Sequence, residues 1–136
     1  MDIYSKELSV KSNNRSEMLL ITDKIRKVVQ KSGIQTGFCK IFVPHTTAGI
    51  TINENADPDV QTDMLAILKK LVPQSKVYRH YEGNSDSHVK STLTGFQQDV
   101  LIEHGRLVLG QWQGIYFCEF DGPRSRRVQV QVYGNL

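Results

Sequence analysis

The sequence predicts an α+β domain with a mostly antiparallel, β-sandwich-like sheet and about three short helices. Three observations carry this. Apolar runs of strand length recur along the chain, separated by turns rich in Gly, Asn and Asp. Between them, three stretches change to the helical spacing of apolar residues. The G-x-G-x-x-G fingerprint of a Rossmann unit is absent, and no repeat or linker divides the chain, so residues 1–136 are expected to form a single domain.

Asp2 to Val10 alternates loosely as a strand, and Glu17-Met18-Leu19-Leu20-Ile21 is a second run of strand length. Thr22 has the chemistry of a helix cap. Ile25, Val28 and Val29 follow at helical spacing until Ser32-Gly33 stops the helix. Gly37 to Val43 and Thr47 to Glu54 read as buried strands. The clearest element comes next: Asp57 as N-cap, Pro58 at the first helical position, then Val60, Met64, Ile67, Leu68 and Leu71 on one stripe, with Pro73 ending it. Gln74 to Ser85 is a polar connection. Val89 and Leu93 anchor a third helix closed by Gly95, which puts His88 in its first turn. Strands return at Val100 to Ile102, Leu107 to Leu109, Trp112 to Phe120 and Arg127 to Tyr133.

A hydrophobic fraction of 39% and a charged fraction of 23% are those of an ordinary folded protein. No run approaches the ~20 apolar residues of a membrane span, and Met1-Asp2-Ile3 opens no signal-peptide h-region, so a cytoplasmic protein with no membrane partner is expected. Cys39 and Cys118 lie in strand-like runs without C-x-x-C spacing and read as buried free thiols. The net charge of +3 is mild. Arg124, Arg126 and Arg127 crowd one segment without interleaved aromatics, a pattern that makes nucleic acid an unlikely partner and suits a small anionic ligand equally well.

Chemistry-bearing residues gather at element ends. His45 follows a strand in Pro44-His45-Thr46-Thr47, where it is either a site residue or a core histidine satisfied by the backbone. Glu54 ends the apolar row Ala48, Ile50, Ile52, which suits a general acid or base; the plainer reading is a carboxylate bonded to amides near Asp57. Asn53 takes the opposite face. His80 and His88 flank a segment of small and acceptor residues, and their spacing matches no standard zinc motif. Asn84, at the third helix's start, and Lys90 offer amide and ammonium groups to an anion. Gln113, Ile115, Phe117 and Glu119 share a strand face that Asp121 continues. The two acidic groups read either as a metal or acid-base pair, or as a turn cap and a cross-strand partner of an arginine.

Together His45-Thr46-Thr47-Ala48, Ile52-Asn53-Glu54-Asn55, Asp57-Pro58, Tyr78-x-His80, Gly83-Asn84, His88, Lys90, Gly110-x-Trp112-Gln113 and Glu119-x-Asp121-Gly122-Pro123-Arg124 resemble the YjbQ-like family of small proteins. The resemblance implies an α+β, sandwich-like fold and a homotrimer with its polar residues in a cleft near the subunit contact. It further implies a secondary thiamine-phosphate synthase activity, joining a hydroxymethylpyrimidine pyrophosphate to a thiazole phosphate. Asn84-Ser85-Asp86-Ser87 departs from the Gly- or Ala-containing stretch associated with the family at this point. The chain is too short for the ~200 or more residues of a TIM barrel, the fold of the main thiamine-phosphate synthase, so a shared activity would be convergent.

On this reading Glu54, Glu119 and Asp121 are the candidate acid-base groups. Asn53, Asn84, Lys90, Gln113 and Arg124 are the candidate binding groups for a phosphorylated metabolite. His45, His80 and His88 are expected to converge on a divalent metal, zinc or magnesium. The competing function is a non-enzymatic sensor or binding module for such a metabolite, with RNA binding third.

Overall fold

The computed structural model describes residues 1–136. In chain order the elements are β1 (Asp2–Lys11), β2 (Glu17–Leu20), α1 (Thr22–Ser32), β3 (Thr36–Phe42), β4 (Ala48–Glu54), α2 (Pro58–Leu71), α3 (Ser85–Thr94), β5 (Gln97–Glu103), β6 (Arg106–Leu107), β7 (Gln113–Glu119) and β8 (Ser125–Asn135). One sheet has the order β1-β8-β3-β5-β6 and the other β2-β7-β4, with every pairing antiparallel. This is the α+β architecture expected.

Alternation along the strands makes the core. Cys39 and Ile41 of β3, Val100 and Ile102 of β5, and Val128, Val130 and Val132 of β8 face Ala48 and Ile50 of β4 and Ile115 and Phe117 of β7. Ile25, Val28 and Val29 of α1 close one end of the same cluster. Both cysteines are free and buried, and burial pushes each thiol up to about 12.

Local chemistry explains the helix boundaries. Gly33 ends α1 at φ 70°, its N–H bonded to the Gln30 carbonyl at 3.2 Å. Asp57 caps α2 by accepting the Asp59 N–H at 2.9 Å, with Pro58 at the first helical position. Thr22 is not the cap expected of it. Its Oγ1 instead accepts the Ile115 N–H at 2.8 Å, tying α1 to β7, and Ile21 holds the cap position without a side-chain bond. β6 also ends at Leu107, before the Leu109 that the sequence suggested, since the Leu109 N–H turns back to the Leu107 carbonyl at 3.2 Å.

The apolar stripe of α2 covers the outer face of the smaller sheet only loosely. Leu68 reaches Tyr116, Cys118 and Phe120, yet no residue of α2 is buried and Ile67 and Leu71 are 55% and 70% exposed. No helix is long and apolar enough to cross a membrane.

Candidate functional site

Helix α3 is clamped onto the smaller sheet, and the clamp sets the site. Ser91 donates Oγ–H to the Ala48 carbonyl at 2.6 Å, and Ser87 does the same to the Phe120 carbonyl at 2.6 Å. A Cβ on Gly49 would lie 2.7 Å from the Gly95 carbonyl oxygen, so only glycine lets β4 pass so close. With α3 so placed, His88 reaches the same surface as His45, which follows β3. The two line one open cleft of about 660 Å³. Phe42, Pro44 and Phe96 supply its apolar wall, the phenylalanine rings meeting edge to face at 5.6 Å. Thr46, Ser91 and Thr92 add hydroxyls.

His45 is a neutral imidazole with a fixed tautomer. Burial, and then the positive charge of Arg126, push its pKa below the ordinary histidine value. Its Nε2 accepts the Arg127 backbone N–H at 2.9 Å, which places the proton on Nδ1. His80 meets His88 edge-on, with ring centroids 5.4 Å apart, and its Nε2 lies 3.8 Å from Glu82 Oε1.

The acidic residues at this end are already engaged. Glu119 is 0% exposed. It accepts from Ser12 Oγ at 2.6 Å, from Arg126 Nε at 2.9 Å and Nη2, and from the Phe120 and Asp121 amides at 3.1 and 3.0 Å. Burial alone would raise its pKa, but the bonds from Arg126 and Ser12 outweigh it and hold the carboxylate below its ordinary value. Such a group anchors structure and has no proton to give near neutrality. Asp121 accepts from Asn84 Nδ2 at 2.7 Å and from Arg124 Nη2 at 2.9 Å. Asn84 is buried, and its Oδ1 is the one buried side-chain polar atom without a partner. Exchanging its amide O and N would set that oxygen against the Asp121 carboxylate, so the orientation is determined.

Other candidates lie elsewhere. Asn53, Glu54 and Gln113 occupy the opposite end of the β4–β7 ladder, where Glu54 pairs with Gln113 and Ala48 with Glu119. Six residue steps of roughly 3.4 Å separate Glu54 from Ala48, about 20 Å in all. Asn53 Oδ1 accepts the Glu54 amide at 2.8 Å, and Gln113 Oε1 accepts the Gly110 amide at 2.7 Å. Lys90 is buried against Asp86, 3.0 Å away, and turns away from the histidine cleft.

A single chain therefore does not build the three-histidine metal centre that the sequence suggested. The only lone pair of neutral His45 is spent on Arg127, and Arg126 occupies Glu119. No group of three His, Cys, Asp or Glu side chains is arranged to hold an ion.

Arg126 is the next-strand arginine that the sequence offered Glu119 as a partner, whereas Arg15 and Asp86 were missed by the sequence reading. Parity with Val128, Val130 and Val132 puts Arg126 on the inward face of β8, and Asp86 with Lys90 is an i,i+4 pair on one helix. Arg15 sits in a turn with no motif around it.

These elements define a class: a two-sheet antiparallel α+β protein with a histidine-lined cleft where one helix seals the end of the smaller sheet. The chain belongs to the UPF0047 YjbQ-like family, whose model matches residues 6–135. It is 51% identical to UPF0047 protein YugU of Bacillus subtilis over 95% of this chain and 98% of that one. A UPF0047 protein of Methanocaldococcus jannaschii is 48% identical over 93% of this chain and 91% of its own. Among solved structures, a YjbQ/UPF0047 family protein of Clostridium acetobutylicum superposes with a TM-score of 0.92 at 52% identity, covering 94% and 99% of the two chains. A YbjQ-like protein of Sulfolobus solfataricus gives 0.94 at 34% identity, covering 98% and 99%.

Proposed function

We propose that this chain is a small-metabolite enzyme acting on a phosphorylated substrate held in the histidine cleft. The observation that carries the reading is that His45 and His88 both line one open cleft with an aromatic wall. A volume of about 660 Å³ suits a metabolite, since small-molecule sites run roughly 300–1,000 Å³. His45 offers a fixed Nδ1–H donor, and histidine is the side chain most often used for proton transfer near neutral pH. Arg124, about half exposed, holds Asp121 with one edge of its guanidinium and can turn another toward an anionic ester.

The specific activity to test is thiamine-phosphate synthesis from a hydroxymethylpyrimidine pyrophosphate and a thiazole phosphate, which the family resemblance suggested. Purified protein given both substrates should release pyrophosphate, and His88→Ala should lower turnover. Equal turnover by His88→Ala and the parent would remove the cleft from that chemistry.

We further infer that the site is completed by oligomerisation, as a homotrimer. Leu93, Phe96, Ile67 and Leu71 leave apolar surface exposed on α2, α3 and the segment that follows α3. A second copy covering that surface could bring its Glu54 end to the histidines. A specific observation favours the binding-module alternative for the isolated chain: Glu119 and Asp121, two of the proposed acid-base groups, are already bonded to arginines. Ligand binding without turnover in a confirmed oligomer would select it.

A further inference from the structure

On the far side of α3 from the histidines lies a second cleft, about 370 Å³, between α2 and α3. Its polar lining is Arg15, Ser16, Lys69, Gln74, Asp86 and Lys90. Asp86 is the centre of an ion triad in which Arg15, its side chain 36% exposed, forms the outer edge. Arg15 Nη1 and Nη2 each reach one of its oxygens at 3.1 Å, and Lys90 Nζ reaches Oδ2 at 3.0 Å. The side chain of Asp86 is 0% exposed and that of Lys90 is 5%. Burial opposes the Asp86 charge, but the bonds from Arg15 and Lys90 outweigh it and keep the carboxylate ionised.

Charge in this triad does not balance. Two cations share one anion, and Lys69 adds a third positive group at the cleft wall while Asp86 is its only carboxylate. Buried Lys90 and Asp86 neutralise one another, so the surplus positive charge lies at the mouth of the cleft, on partly exposed Arg15 and exposed Lys69, with no second carboxylate in the lining to balance it. An ammonium also has three N–H donors, of which Lys90 spends one on Asp86. Asp121, the other carboxylate facing Arg15, is bonded to Arg124 and Asn84.

We propose that the α2–α3 cleft is a binding site for a phosphoryl oxyanion, with Lys90 as the buried anchor, Arg15 at the cleft mouth and Lys69 as the outer clamp. It is separate from the histidine cleft and does not depend on what binds there. The anion supplies the missing negative charge and accepts the spare Lys90 donors.

The test is calorimetry and thermal shift with inorganic phosphate and pyrophosphate, at constant ionic strength set with chloride. Lys69 lies on the exposed side of α2, so Lys69→Ala and Lys69→Arg leave the triad intact. Lys69→Ala should weaken about tenfold one phosphate-binding component, Lys69→Arg should restore it, and that Lys69-dependent component should persist in His88→Ala and Arg124→Ala whatever those changes do to binding in the histidine cleft. Lys90→Gln, checked for folding by circular dichroism, should abolish the thermal shift. Unchanged affinity in Lys69→Ala would overturn the proposal. So would loss confined to His88→Ala or Arg124→Ala, which places the anion in the other cleft, and so would a parent protein that does not bind either probe.

Discussion

His45 accepts the backbone N–H of Arg127 through Nε2 at 2.9 Å, so the loop leaving β3 is fastened to the start of β8 by a side chain. Nitrogen-15 NMR should find the Nδ1–H tautomer and a midpoint below the ordinary value of about 6.5. The folded pKa lies below the unfolded one, so the unfolded chain binds more protons between them. Stability therefore rises with pH across that window and is lost as pH falls from about 6.5 through the folded value. His45→Gln should flatten this part of the stability profile.

Glu119 and Arg126 form the buried ion pair beside the site. Glu119→Gln should cost about 3–5 kcal/mol in urea unfolding, because it strands the guanidinium in the core. Ser12→Ala removes a single donor to the same carboxylate and should cost about 1–3 kcal/mol. The folded pKa values of Glu119 and Asp86 lie below their unfolded values, so their contribution is complete above about pH 4.5 and fades as pH falls through the folded values. An acid titration of the melting temperature should show that loss, and Glu119→Gln should reduce it.

Gly49 sets how closely α3 approaches β4. Gly49→Ala would put a methyl group 2.7 Å from the Gly95 oxygen and 3.0 Å from Thr94 Cγ2. Overpacking of this kind costs about 1–3 kcal/mol. Amide exchange in α3 should accelerate more than in β3 or β8, and any activity that depends on His88 should fall with it.

If the site is shared between copies, two separate lesions can complement each other. Light scattering should give a trimer of the 15.5 kDa chain. Glu54→Gln and His88→Ala should each lower turnover, and co-refolding the two should recover part of it by pairing an intact Glu54 with an intact His88. A stable monomer, or failure of the mixture to recover, would confine the site to one chain.

The strands, and with them the α+β class, could be read because period-two alternation survives wherever one face is buried, as in Val128, Val130 and Val132. The Asp57-Pro58 start of α2 and the Gly33 stop of α1 could be read because capping chemistry is local. The functional end of the molecule was harder. Glu54 and Glu119 end their strands in the same way, but an antiparallel ladder sends them to opposite ends, and pairing is not written in either strand alone. Lys90 looks like a free cation until folding brings Asp86 and Arg15 to it, and Arg15 is 71 residues from Asp86 in sequence.

The division of labour on α3 limits how its gene can change. His88 opens onto one cleft while Asp86 and Lys90 serve the other, and each residue of helix advances the side chains by about 100°. Removing or adding one codon between Asp86 and Ser91 would swing one set of groups away from its cleft even if every surviving residue were unaltered. In the connection before α3, Gln74 and His80 serve the two clefts, and only the exposed stretch between them carries no such phase, so a change in length there should be tolerated.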